Sequence, residues 1–326
     1  MTERAENAEI RVSVIVPAYN AATTLARTLD SLMAQTRKAD EIILVDDGST
    51  DETAEIAKRY PAVRCLSQAN TGLPGARNSG IKAARGNWIA FLDADDEWLP
   101  SKLERQVEHL TRHPDLAWTS GNFCRCLSQD DPGVVDIDPA RARQVLGGRE
   151  YHESYFGAYL QHVNGCVDTM LIRRDVFDEV GLFNLQQKRT EDMELWFRIA
   201  YRHERIGYLA EPLARYYVDQ QESLLRRPAE LEYVCLLIDR HLVLAEEHGQ
   251  LEAFGPCAVG MIGYWIDRLL HEGRGSDIRA LLRRYKRLFT PYFRVTTFLS
   301  SLMPRQAGAY QDWKRRRKAQ QVTGRA

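Results

Sequence analysis

The stretch "VSVIVPAYN", residues 12–20, opens with a nearly continuous run of Val and Ile and ends in a polar turn. A β-branched run without regular polar alternation is typical of a strand that is covered on both faces. Pro17 ends the run, and "TTLARTLDSLMAQT" then places leucines at helical spacing. The sequence therefore predicts a buried strand followed directly by an amphipathic helix.

This strand–helix pattern recurs three more times in the next hundred residues. Strand-like runs lie at 41–50 ("EIILVDDGST"), 62–68 ("AVRCLSQ") and 86–96 ("GNWIAFLDADD"), and helical spacing follows each of them. Repeated alternation indicates an α/β fold with a mainly parallel, Rossmann-like sheet flanked by helices and joined by right-handed crossovers. From about Pro228 onward the spacing of Leu, Ile and Val predicts a helical C-terminal extension.

Polar clusters follow several of the predicted strands. They lie at Pro17–Asn20, Asp46–Ser49, Gln68–Gly72 and Asp93–Glu97. Ligands of open α/β sheets bind outside the carboxyl ends of the strands, so we expect these clusters to form one site.

The last cluster belongs to "FLDADDEWLP", residues 91–100, which concentrates four carboxylates at the end of a strand. One interpretation is a helix entry before Pro100, because acids favour helix N-termini. A helix entry accounts well for one of the four acidic residues but poorly for the other three. The alternative is a hard divalent cation, Mg²⁺ or Mn²⁺, which binds carboxylates together with water and phosphate oxygens.

Four blocks, "VSVIVPAYN", "LVDDGSTDET", "NTGLPGARNSGIKAARGNWIAFLDADDEW" and "TEDMELWFRIA", resemble in order the family 2 inverting glycosyltransferases with the GT-A fold. The resemblance covers about residues 10–220. It implies a hexosyltransferase-type enzyme of polysaccharide, glycolipid or other cell-surface glycan synthesis. Such an enzyme moves a sugar from a nucleotide-sugar, usually a UDP-sugar, to an acceptor hydroxyl with inversion and with help from Mg²⁺ or Mn²⁺.

The resemblance also implies roles for residues beside the nucleotide. Asp47 would accept from the pyrimidine imide N–H, and Arg77 would approach the base or the diphosphate. Their alternatives are a turn or helix cap for Asp47 and a solvated helix face for Arg77. The nucleotide-side positions carried over from the family are Pro17, Tyr19, Asn20, Asp47, Arg77 and Asp93.

Asp93 and Asp95 match the D-x-D of the family. The resemblance places Asp93 near the ribose and assigns Asp95 to the metal that bridges the diphosphate, with Asp96 in support. Relatives often carry a histidine where Asp219 stands here, so Asp219 is either an alternative oxygen ligand or a solvated loop residue. His152 and His162 are further candidates to complete the metal site.

Asp192 matches the residue that removes the proton from the acceptor hydroxyl. An inverting displacement requires a base on the face opposite the leaving group, and a carboxylate suits that task. Glu191 would orient the base or bind the acceptor. The alternative is that both acids only stabilise a helix start. Trp196, one turn further on, is interpreted as a core residue; the alternative is a platform for the sugar.

The expected domains are a catalytic domain at 1–225 and a helical region with a basic tail at 226–326. Within the first, a nucleotide-binding half would span about 10–120 and an acceptor-binding half about 121–225. Residues 127–150 are polar and aperiodic, which predicts a loop, and 205–218 read as two short strands around Pro212. The Q-x-x-R-W motif of processive synthases is absent, so we expect a non-processive enzyme.

The C-terminal region is strongly basic. From Gly273 to Ala326 there are 14 Lys and Arg against two acids, a balance of +12 in a chain of net charge −1. Basic and apolar residues interleave at 278–306, and "WKRRRK" follows at 313–318. Such segments contact anionic membranes, which would suit a lipid-linked saccharide acceptor; the alternative is a helical cap with a solvated tail. No nucleic-acid recognition module is recognisable.

Composition and cysteine spacing limit the classes of protein to which this chain could belong. The N-terminus is polar, no apolar run reaches the roughly 20 residues of a membrane span, and the six cysteines lack zinc spacing. We therefore expect a cytoplasmic protein, with peripheral contact to the inner face of the membrane as an option. A nucleotide-sugar-binding regulatory domain without transfer activity is the alternative function. A phosphate-signalling receiver domain, which "LVDDGS" at a strand end could suggest, does not fit the length of the chain. It also leaves the acidic turn after the fourth strand and the helix that begins with Glu191 and Asp192 unexplained.

Overall fold

The computed structural model describes residues 9–218 and 230–323, with side chains as far as residue 315. The chain divides into two compact units, Met1–Arg227 and Pro228–Ala326. Among the described residues, the strands all lie in the first unit and the second unit is helical.

A mixed ten-stranded sheet forms the centre of the first unit, in the order β3-β2-β1-β4-β9-β6-β10-β5, with β7 added to β6 and β8 to β10. The first four strands in this order are mutually parallel, and so are β6 and β10, whereas β9 is antiparallel to both of its neighbours. The strands are β1 (Val12–Ala18), β2 (Glu41–Asp46), β3 (Val63–Ser67), β4 (Trp88–Phe91), β5 (Glu97–Trp98), β6 (Trp118–Cys126), β7 (Val134–Val135), β8 (Tyr151–His152), β9 (Leu171–Arg173) and β10 (Ile206–Tyr217).

Strand β1 is buried along its whole length, as its uninterrupted apolar run predicts. Its register places Ala18 opposite Asp46 of β2 and Ile15 opposite Phe91 of β4. The residues that follow these three strands therefore emerge at the same edge of the sheet.

Helices cover the sheet, and the predicted strand–helix alternation is confirmed. Trp196 is 2% exposed and packs near Phe91, Trp118 and Phe183, with ring centroids 6.1 to 6.5 Å away, so it is a core residue as expected. The helices of this unit are α1 (Leu25–Met33), α2 (Thr53–Ala57), α3 (Leu73–Ala83), α4 (Lys102–Arg112), α5 (Pro139–Val145), α6 (Tyr155–Leu160), α7 (Val176–Val180) and α8 (Glu191–Ala200), with a 3-10 turn at Val167–Thr169.

Two local predictions were wrong. The region around Pro212 is one twelve-residue strand, β10, whose register against β6 shifts on either side of Pro212. Proline has no N–H to donate to the neighbouring strand, and a β-bulge accommodates it, so the strand continues past Pro212. Residues 127–150 contain β7 and α5 rather than a structureless loop. Helix α5 begins because the Asp138 side chain accepts from the Arg141 N–H at 2.9 Å.

The second unit consists of helices in its described part. They are α9 (Leu231–Glu247), α10 (Leu251–Glu272), α11 (Gly275–Arg284), α12 (Pro291–Ser300) and α13 (Pro304–Thr323). No helix in residues 9–218 or 230–323 combines the length and the apolar character needed to cross a bilayer.

Candidate active site

The loops after β1 and β2 are joined at the carboxyl edge of the sheet. The Asn20 side chain accepts from the Thr50 N–H at 2.8 Å, and the Asn20 N–H donates to Ser49 Oγ at 3.0 Å. Asn20 adopts a left-handed backbone with φ of 50°, a conformation that asparagine tolerates better than most residues. Tyr19, which follows Pro17 and Ala18, is 54% exposed at this edge.

Asp47 anchors the next loop, residues 68–72. One carboxylate oxygen accepts from Gln68 Nε2 at 2.7 Å and from the Thr71 N–H at 2.9 Å, and the other accepts from the Gly72 N–H at 2.8 Å. The neighbouring Gly48 has φ of 78°, and a Cβ there would lie 3.0 Å from the Asn70 nitrogen. The buried Asp47 carboxylate therefore fixes the loop that leads into α3.

The acidic turn after β4 is held by α1. Thr28 Oγ1 donates to the carbonyl oxygens of Ala94 at 3.0 Å and Asp96 at 2.8 Å, and Arg27 donates to the carbonyl oxygen of Asp95 at 2.5 Å. These bonds use backbone oxygens of the turn. The Asp95 carboxylate accepts no hydrogen bond from another residue in the described part of the chain.

Asp168, in the 3-10 turn before β9, is a site residue that the sequence analysis missed. Its carboxylate accepts from the Asp93 N–H at 2.9 Å, and its carbonyl oxygen accepts from Trp98 Nε1 at 2.7 Å. Asp96 is also buried and accepts from the Tyr217 N–H at 2.7 Å. Carboxylate oxygens of Asp93, Asp96 and Asp168 all lie within 4.8 Å of one another.

Three carboxylates at this site, those of Asp95, Asp96 and Asp168, resist ionisation. Burial, reinforced by Asp93, raises the pKa of Asp95 to about 6 and that of Asp168 to about 7. Burial and the neighbouring Asp168 raise the pKa of Asp96 well above its ordinary value. Such a set of crowded oxygens has the chemistry of a hard-cation site, because a divalent ion would offset the repulsion.

A buried amine lies behind the cluster. Lys102 Nζ stands 3.5 Å from the centroid of the Trp98 ring and has no hydrogen-bond partner in the described residues. Burial lowers the pKa of Lys102 well below its ordinary value, although the nearby Asp168 opposes this. Because burial disfavours its charged form, Lys102 offsets the negative charge of the nearby acids only in part.

Arg77 of α3 joins the acidic turn to helix α8. It donates to Asp93 at 2.7 Å and to Glu191 at 2.6 Å, and it is 1% exposed. Burial would lower the pKa of Arg77, but Asp93 and Glu191 outweigh this and raise it. Arg77 thus lies on no solvated helix face, and it brings the two acidic segments into one site.

Helix α8 presents Glu191 and Asp192 at its first turn. Burial raises the pKa of Glu191 to about 7 although Arg77 lowers it, and burial likewise raises the pKa of Asp192 against Arg77. Thr190, just before them, has φ of 57°, which is rare for a β-branched residue and costs about 1–3 kcal/mol. The chain therefore enters this helix in a strained conformation immediately before the two acids, of which Glu191 pairs with Arg77.

Three predicted candidates lie elsewhere or cannot be placed. Asp219 lies outside the described residues. His152 is buried on β8 against Tyr208, and burial lowers its pKa to about 4. His162 lines a cavity of about 560 Å³ with Phe123 and Arg125. Neither histidine is among the groups that could share a metal ion with Asp93 in the described residues.

Comparison with known proteins agrees with this architecture. Residues 13–181 match the sequence model of glycosyl transferase family 2. The chain is 35% identical over 190 residues to the uncharacterized glycosyltransferase RP339 of Rickettsia prowazekii, covering 57% of this chain and 58% of that protein. It is 31% identical over 191 residues to the Escherichia coli UDP-Glc:alpha-D-GlcNAc-diphosphoundecaprenol beta-1,3-glucosyltransferase WfaP, covering 58% and 69%.

Among solved structures, the chain resembles a fragment of S. aureus TarS in complex with UDP-GlcNAc. The TM-score is 0.64 at 16% identity, with 93% of this chain and 92% of the TarS fragment covered. The match extends over about three fifths of the length of relatives such as RP339 and YibD of Escherichia coli. The fold is of the GT-A type, and the chain belongs to glycosyl transferase family 2.

Proposed function

We propose that this chain is an inverting, non-processive glycosyltransferase of the hexosyltransferase type. It would move a sugar from a nucleotide-sugar, in our proposal a UDP-sugar, to an acceptor hydroxyl in glycan synthesis. The TarS fragment was crystallised with UDP-GlcNAc, and the name of WfaP specifies UDP-Glc, which supports a uridine nucleotide as donor. Asp47 and the loops carrying Pro17, Tyr19 and Asn20 are our candidates for the nucleoside contacts.

One observation carries the proposal. The Arg77 guanidinium contacts Asp93 and Glu191 at once, at 2.7 and 2.6 Å. A transferase requires the acids that bind the donor and the general base to lie on opposite sides of the reacting carbon. The Arg77 guanidinium contacts both segments and so fixes the distance between them.

Asp192 is the proposed general base. Its carboxylate would accept the proton of the acceptor hydroxyl as that oxygen attacks the anomeric carbon and the bond to the nucleotide diphosphate breaks. Burial raises the pKa of Asp192, which makes the ionised carboxylate a stronger base than an exposed aspartate. Glu191, bonded to Arg77, would hold the start of α8 in place.

Asp93 and Asp95 are the proposed ligands of Mg²⁺ or Mn²⁺, with Asp96 and Asp168 as supporting acids. Oxygen donors in this number suit a hard cation. Burial and the neighbouring Asp93 raise the pKa of Asp95 and Asp168, and a bound cation would favour their ionised forms. When bound, the ion would supply charge stabilisation for the leaving diphosphate. Asp168 would fix the backbone of Asp93 whether or not the ion is bound.

The acceptor is a saccharide or a lipid-linked saccharide in this proposal. The cavity at the carboxyl end of β6, about 560 Å³ and lined by Phe123, Arg125, Arg141, Tyr159 and His162 among others, has the size and the mixed aromatic and basic lining that suit it. The diphosphoundecaprenol acceptor in the name of WfaP supports the lipid-linked form. The proposed location is the cytoplasm, at the inner face of the membrane.

In this proposal the two compact units have different roles. Residues 1–225 would catalyse the transfer, with the nucleotide side at about 10–120 and the acceptor side at about 121–225. Residues 226–326, with their basic tail, would serve a role outside the chemistry. The contacts of Asp47, Asp93 and Arg77, all made within Met1–Arg227, support the first assignment.

A screen of nucleotide-sugars tests the proposal. Each would be added with Mg²⁺ or Mn²⁺ while the melting temperature is followed, because a ligand that binds only the folded state raises it. We expect UDP-sugars to stabilise the protein and to release UDP when an acceptor is present. Stabilisation without any acceptor-dependent release would favour the regulatory alternative, and stabilisation by no nucleotide-sugar would contradict both.

A further inference from the structure

Helix α12 exposes an apolar face. Within the helix, Tyr292, Val295, Phe298 and Leu299 fall inside about 120° of its circumference at 100° per residue. The exposed large apolar side chains on and just after α12 are Tyr292 at 79%, Val295 at 59%, Phe298 at 46%, Leu299 at 59%, Leu302 at 57% and Met303 at 60%.

The opposite face of α12 packs inward and is more polar. Thr297 is 8% exposed and Ser301, just after the helix, is 2% exposed. Arg279 of α11 donates to the carbonyl oxygen of Ser301 at 3.1 Å. Phe293 is the large apolar side chain on this inward face, where its ring stacks on that of Phe289 with centroids 4.8 Å apart. The other large apolar side chains of α12 face outward, which is unusual for a surface helix. A patch of this kind marks an interaction surface.

The segment of chain that carries this face has charges of one sign. Residues 278–311 contain seven Lys and Arg and no Asp or Glu. Arg283, Lys286, Arg287 and Arg294 are exposed and form no ion pair with any residue in the described part of the second unit. The basic groups are thus available to a partner, and the partner that matches them is anionic.

We propose that the exposed face of α12 is a membrane-docking surface that inserts its apolar side chains among anionic lipid headgroups. An interfacial helix combines an apolar face that enters the headgroup boundary with flanking basic side chains, and α12 has both. A second copy of the chain is a poorer occupant, because pairing two such faces would bring the basic groups of two segments together without any acid from 278–311.

Vesicle sedimentation of the full chain tests the proposal without any sugar donor. We expect the protein to bind vesicles that contain phosphatidylglycerol, to bind pure phosphatidylcholine vesicles much less, and to dissociate as salt is raised, because screening weakens the charge attraction. Val295→Glu should lower binding to the anionic vesicles by about tenfold, because it places a charge in the apolar face. Arg287→Gln/Arg294→Gln should weaken binding and flatten its salt dependence.

Val243 supplies a matched control. It is 56% exposed on α9, against 59% for Val295, so Val243→Glu makes the same change at the same exposure outside the proposed surface. Val243→Glu should bind vesicles as the wild type does. Equal binding by the two variants, or no binding by the wild type, would overturn the proposal. So would a lipid-free dimer that only Val295→Glu dissociates, since a second copy would then occupy the face. UDP release with a water-soluble acceptor should be unchanged in Val295→Glu, which keeps this test separate from that of the proposed function.

Discussion

Arg77 Nη1 lies 2.6 Å from Glu191 Oε1, across 114 residues of sequence, and both side chains are buried. The second arm of Arg77 reaches Asp93 at 2.7 Å. A single guanidinium therefore fixes the spacing between the acidic turn after β4 and the first turn of α8. Arginine suits this position because its planar fork can serve two carboxylates at once.

The Arg77–Glu191 pair is expected to be strongly coupled in stability. Arg77→Met should cost about 3–5 kcal/mol of unfolding free energy, because it leaves the buried Glu191 charge without a partner. The double variant Arg77→Met/Glu191→Met should recover much of that loss, since it removes both buried charges. Urea denaturation of the wild type, both single variants and the double variant measures the coupling. Strictly additive costs would show that the two groups do not depend on each other.

Asp168 should make stability depend on pH. Its pKa is raised to about 7 by burial and Asp93, so the folded protein keeps a proton that the unfolded chain loses near the ordinary value of 3.8. This contribution to stability is complete below the unfolded pKa and is lost as the pH rises through about 7.

Asp168→Asn removes that proton while keeping an oxygen for the Asp93 N–H. In EDTA, the unfolding free energy of the wild type should fall more steeply than that of the variant between pH 5 and 7, by up to about 1.4 kcal/mol per pH unit. Denaturant titrations at several pH values give the two slopes. Parallel curves would mean that Asp168 ionises normally in the folded protein.

The variant Asp47→Asn distinguishes a structural role of Asp47 from a role in nucleotide binding. In Asp47→Asn, the amide NH₂ must face one of the donors from Gln68, Thr71 or Gly72, whichever way it is turned. The unsatisfied donor should cost about 1–3 kcal/mol of stability. If Asp47 also contacts the nucleotide, calorimetry should detect much weaker UDP binding by the folded variant. Lower stability with unchanged UDP affinity would leave Asp47 as a loop anchor only.

The sequence predicted those parts of the site that follow directly from strand ends. Strand β1 ends beside Asp46, and β4 leads into Asp93, because parallel strands bring their carboxyl ends to one edge. The apolar runs were long enough to locate each strand. Helix α8 with its two initial acids was likewise visible in the sequence.

Asp168 could not be predicted because it comes from the turn before the antiparallel strand β9, which is inserted between β4 and β6. Nothing in "CVDTMLIRR" indicates which strand it will pair with, so its acid was not connected to Asp93. The bulge at Pro212 was missed for a related reason. It depends on which neighbouring strand pairs with the residue, and local spacing does not contain that information.

The most direct test of the central claim is acceptor-dependent UDP release by Asp192→Asn. The claim is that Asp192 is the base of a site whose donor half includes Asp93 and Asp95. At saturating UDP-sugar and divalent cation, the variant should release UDP about 10² to 10⁴ times more slowly than the wild type while binding UDP equally well. Asp178→Asn, the same change at an exposed position on α7, should retain full activity. Wild-type turnover by Asp192→Asn would contradict the account.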